Sequence, residues 1–65
     1  MGNADQKIKV LNNKIMQWVE MQSKLLDLYL EGKIEKNEYK ERYNNLDDDI
    51  NNFKLEIHEA LNDYN

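Results

Sequence analysis

The chain has 65 residues, a net charge of −4, one histidine, no cysteine and no proline. Those values exclude a disulfide scaffold, a cysteine zinc site and more than one small unit. The acidic, mixed surface argues against a direct nucleic-acid face and for solvated helices. Residues 1–31 balance four lysines against four acids, whereas residues 32–65 set five basic groups against nine acids and carry the whole excess. No run is apolar enough to cross a membrane, and the start lacks a secretory apolar segment. Gly2 invites N-myristoylation, but Gln6 stands where Ser or Thr is required. A cytoplasmic location with no cofactor and no metal is the expectation.

The first element is a helix over about residues 4–31. Lys, Glu, Leu, Met and Gln favour helix by propensity, while strand formers never alternate over a useful length. Ile8, Leu11, Ile15, Trp18, Gln22, Leu25 and Tyr29 recur in steps of three and four, with Gln22 the one polar member. Gln22 reads as a register device in the seam or as an exposed polar residue.

The second element is a turn over residues 32–35. Gly32 can adopt the left-handed conformation that closes a helix. Glu35 is a weak cap, with Glu38 three residues later as the reciprocal member of a capping box. Ile34 and Tyr39 occupy the positions of a hydrophobic staple.

The third element is a helix over about residues 36–63. Its stripe is Tyr39, Tyr43, Leu46, Ile50, Phe53, Ile57, Ala60 and Tyr64. Folding the chain at Gly32 sets Tyr29 against Tyr39, Leu25 against Tyr43 and Gln22 against Leu46. Trp18 meets Ile50, Ile15 meets Phe53, Leu11 meets Ile57, Ile8 meets Ala60 and Ala4 meets Tyr64. The residue numbers of every pair share one sum, so the stripes are in register with no insertion. The fold class is therefore all-α, a two-helix antiparallel coiled-coil hairpin. On its flanks Lys7 comes near Asp63 and Lys14 near Glu56, both with opposite signs.

Near the turn the flanks change. Val19 and Met21 face Asp47 and Asp49; Leu26 and Leu28 face Lys40 and Arg42. Lysine and arginine stems can cover apolar surface and aspartates cannot. Met16, Leu30 and Leu55 add apolar atoms outside the stripe. The first helix is apolar over a wider arc than one seam needs, which reads either as the scattered apolar surface that small hairpins ordinarily carry or as a third surface contacting another hairpin or a partner protein. Tyr29, Tyr39 and Tyr43 cluster by the turn as a core cap or an interface anchor. No catalytic constellation is expected: Ser23 and His58 fall far apart, and consecutive Asp47, Asp48 and Asp49 diverge around a helix.

The segment Leu25–Ile50 resembles the coiled-coil motif of large serine recombinases, the phage integrases and cassette-chromosome recombinases. The matching elements are Leu25, Leu26, Leu28, Tyr29, Gly32, Ile34, Glu38, Tyr39 and Leu46. The resemblance implies a hairpin protruding from a DNA-binding domain of a larger protein. It implies contact with the like hairpin of another subunit during synapsis, redirected by a recombination directionality factor. The implied contact surface is Val19, Met21, Leu26, Leu28, Tyr29, Ile34, Tyr39 and Tyr43. No catalytic serine domain and no zinc cysteines lie within the chain, so it would be a non-catalytic segment. A stand-alone structural or regulatory protein of a phage or other mobile element is the alternative.

Overall fold

The computed structural model describes residues 3–62 and contains two helices, α1 (Asn3–Leu30) and α2 (Lys36–Asn62), packed along their length. They run antiparallel, as the shared sum of facing residues requires. The rod measures 48 × 15 × 10 Å. Because the arms have 28 and 27 residues, the first and last described residues lie at one end and the turn at the other.

The turn is a Schellman closure. Gly32 has φ +78°. Its N–H donates to the Tyr29 carbonyl at 3.0 Å, and the Lys33 N–H donates to the Leu28 carbonyl at 2.9 Å. Those two bonds satisfy carbonyls that the end of a helix otherwise leaves orphaned. Glu31 still donates to Asp27 at 2.9 Å but acts as the capping residue, so α1 ends at Leu30, one residue short of the expected boundary. No non-glycine residue among those described has a positive φ, so the reversal is confined to Gly32.

The start of α2 differs from its expected capping box. The Glu35 carbonyl accepts the first helical bond from Tyr39 at 2.9 Å, which makes Glu35 the capping residue. Glu38, however, does not reach back. Its carboxylate holds Arg42 one turn ahead, at 2.6 Å. Glutamate preceding arginine by four residues is the favoured order of such a pair, and the charge-assisted bond outcompetes a return to a neutral N–H.

Leu11, Gln22, Leu25, Ile50 and Ala60 are buried in the seam; Ile8, Ile15, Trp18, Tyr29, Tyr39, Leu46, Phe53 and Ile57 are half-buried. Among the described residues the stripe thus lies where its spacing places it, except at Tyr43, which is exposed. The seam is thin, since no described side chain falls below 2 % exposure. The accessible area is 5217 Å², against about 4400 Å² expected for a compact chain of this mass. The excess is the area of a rod with two open flanks. Ala4 is half-buried as expected, while its partner Tyr64, like Asp63 opposite Lys7, lies outside the described residues.

Candidate interaction surface

The two flanks of the seam are chemically different, and three side-chain contacts identify which edges of the helices lie together. The Trp18 indole Nε1 donates to Asp49 Oδ2 at 3.0 Å. The Trp18 and Phe53 rings meet edge to face, 5.2 Å apart at 90°. Lys14 Nζ lies 5.8 Å from the centroid of the Phe53 ring. This last contact replaces the expected Lys14–Glu56 ion pair. Both residues border the same hollow, but the ammonium sits over the ring and the carboxylate remains exposed. An exposed ion pair gains little, so a ring within reach of the same flexible stem competes successfully.

These contacts define the Asp49 flank. Met21, Leu25, Arg42, Asn45, Leu46 and Asp49 line a shallow hollow on it. Met21 is 44 % exposed there, and Leu28 lies on the same edge of α1, half-buried. Asp49 was expected to leave apolar surface bare. Instead its carboxylate accepts from Trp18, so it fixes a core ring from outside the seam.

The opposite side is the Val19 flank. Helical periodicity carries Met16, Val19, Ser23, Leu26 and Leu30 along it in steps of 3, 4, 3 and 4, a second heptad stripe beside the first. The apolar members stay open to solvent: Met16 63 %, Val19 49 %, Leu26 40 % and Leu30 70 %. Met16, Val19 and Ser23 border a shallow depression with Ile15 and Glu20. Glu20 and Asp27 run along its outer rim, seven residues apart. On α2 the facing edge carries Lys40, Asp47 and Lys54, again seven apart. Leu26 and Leu28, which sequence spacing grouped as one surface, are ~200° apart around α1 and fall on different flanks.

At the turn the tyrosines pack on each other. Tyr29 stacks on Tyr39 at 5.0 Å and 16°, and Tyr39 meets Tyr43 at 5.7 Å and 48°. Ile34 is half-buried beside them in sequence, while Tyr43 is exposed at its edge. Gln22 is buried, and its Nε2 donates to the Tyr43 carbonyl at 3.4 Å, a long bond that still satisfies the amide. The seam reading of Gln22 is therefore the one that holds. Leu55 points away from the seam and is 57 % exposed. Among the described residues no group of three or more His, Cys, Asp or Glu is placed to hold a metal ion. No helix among them is long and apolar enough to cross a membrane.

Both flanks of the seam thus expose apolar side chains beside charged ones. Comparison with protein-family models, with curated proteins and with solved structures finds no match for the chain.

Proposed function

We propose that the hairpin is a non-catalytic protein–protein association module that pairs with a like hairpin through its Asp49 flank. The observation that carries this reading is the mixed sign of the rim around exposed Met21, with Arg42 and Asp49 one heptad apart on α2. A two-fold axis between them sets Arg42 of one copy against Asp49 of the other, twice. It brings the two Met21 side chains towards a common centre. A two-fold contact must be self-complementary, and this flank meets that requirement. The resemblance over Leu25–Ile50 supplies the setting: association of serine-recombinase subunits in synapsis, with a directionality factor redirecting the contact. A serine-recombinase domain upstream in the same reading frame would support that setting.

A concentration series by sedimentation tests the association. The wild-type chain is expected to gain mass with concentration, and Met21→Glu to remain at monomer mass with its helicity intact. A wild-type chain that stays monomeric throughout, or a Met21→Glu variant that associates equally well, overturns the reading.

A further inference from the structure

Peroxide has few targets in this chain. There is no cysteine, so no thiol takes the oxidant first, and the thioethers belong to three methionines. Met16 and Met21 both stand open to solvent, at 63 % and 44 % exposure. They lie on opposite sides of the rod. Met16 borders the depression on the Val19 flank, and Met21 shares the hollow on the Asp49 flank with Arg42 and Asp49. Met1 falls outside the described residues. Exposure opens both described sulfurs to a small polar oxidant, but only Met21 sits where two copies of the hairpin would meet.

We propose that Met21 is a redox-sensitive contact: hydrogen peroxide converts it to the sulfoxide and releases the paired hairpins, and reduction restores the pair. The inference rests on the pairing through the Asp49 flank. A sulfur lone pair attacks one peroxide oxygen and the O–O bond breaks. The other oxygen leaves as hydroxide, takes the proton of the transferred group and departs as water. Sulfur loses the two electrons that the peroxide gains. Reversal draws two electrons from a dithiol, which closes to a disulfide as the oxygen leaves as water. The sulfoxide is polar where the thioether was apolar. In a free hairpin its oxygen faces water, outside the seam, so the fold has no reason to change. In the pair the two-fold axis brings both Met21 side chains to one centre, so oxidation alters the contact twice. Two S–O dipoles then meet with like ends, away from water. Arg42 lines the same hollow. A sulfoxide oxygen that recruits its N–H groups draws them away from Asp49 of the other copy.

The test treats the intact chain with hydrogen peroxide until peptide mass mapping shows one added oxygen at Met21. Treated and untreated samples are then sedimented over the same concentration series. The oxidised chain is expected to associate about tenfold more weakly or worse. Its helical circular dichroism and melting temperature are expected to be retained. Methionine sulfoxide reductases for both sulfoxide epimers, with dithiothreitol, are expected to restore the untreated curve. Met16→Leu leaves Met21 as the one methionine among the described residues, and is expected to respond to peroxide as the wild type does. Met21→Leu, read against its own untreated sample, is expected to show no response. Equal association before and after oxidation overturns the proposal and leaves the pairing standing. So does a response that Met16→Leu removes or that Met21→Leu keeps, since another side chain would then carry it. Helicity lost together with association also overturns it, because peroxide would then be unfolding the hairpin. An untreated chain that stays monomeric overturns the pairing, and the redox contact with it.

Discussion

Trp18 and Asp49 join the two helices across 31 residues of sequence, through an indole N–H to a carboxylate oxygen at 3.0 Å. The bond is exposed, so water competes with it, but the acceptor is charged, which strengthens it. Trp18→Phe keeps a ring against Phe53 and removes the donor; Asp49→Ala removes the acceptor. Each is expected to cost about 1 kcal/mol in urea denaturation, and the double variant little more than either alone. Full additivity in that cycle would show that the bond contributes nothing to stability.

Gly32 has no neighbour that a Cβ would meet within 4 Å, so substitution there costs backbone conformation and not space. The left-handed region costs an ordinary residue about 1–2 kcal/mol, less for asparagine and more for a β-branched side chain. Melting temperatures are expected to fall in the order Gly32, Asn, Ala, Val. A Gly32→Val variant that melts with the wild type would mean that the turn relaxes to another geometry at no cost.

Gln22 occupies a buried seam position with one long hydrogen bond. A polar group at such a position lowers stability and pins register. Gln22→Leu is expected to raise the melting temperature by several degrees, since about 1 kcal/mol moves a domain of this size by ~4–8 °C. The same variant is expected to broaden the distribution of masses in sedimentation. A lower melting point would instead make Gln22 a net stabiliser.

Lys14 and Glu56 separate two accounts of the same flank. With the ammonium over Phe53, Phe53→Leu removes the ring and Lys14→Ala the cation. The cation–π contact is worth about 0.5–1 kcal/mol at an exposed site. Glu56→Gln is expected to leave stability unchanged. A loss on Glu56→Gln that Lys14→Ala fails to add to would restore the ion pair.

The seam, the turn and the tyrosine contact at Tyr29 and Tyr39 were legible in sequence because they depend on backbone period alone. Apolar steps of three and four, a shared sum of facing residues and a glycine at the break each constrain the main chain. The flanks were harder to read because their long side chains choose among several partners of similar worth. Glu38 had a backbone N–H behind it and Arg42 ahead, and Lys14 had a carboxylate and a ring. Spacing alone also merged Leu26 with Leu28, two residues that helical rotation sends to different sides. The bond from Trp18 to Asp49 was hidden for another reason: an aspartate beside an apolar seam reads as a poor cover, and its value as an acceptor depends on where one N–H points.

An antiparallel pair of nearly equal arms brings the chain back to within about one interhelical spacing, 8–10 Å, of where it entered. For any protein carrying it in a surface loop, the detour has the closure entropy of a short connection and not of a sixty-residue one, because the zipped seam has already removed that freedom. Such a detour can be gained or lost as a unit without moving the strands or helices on either side of it.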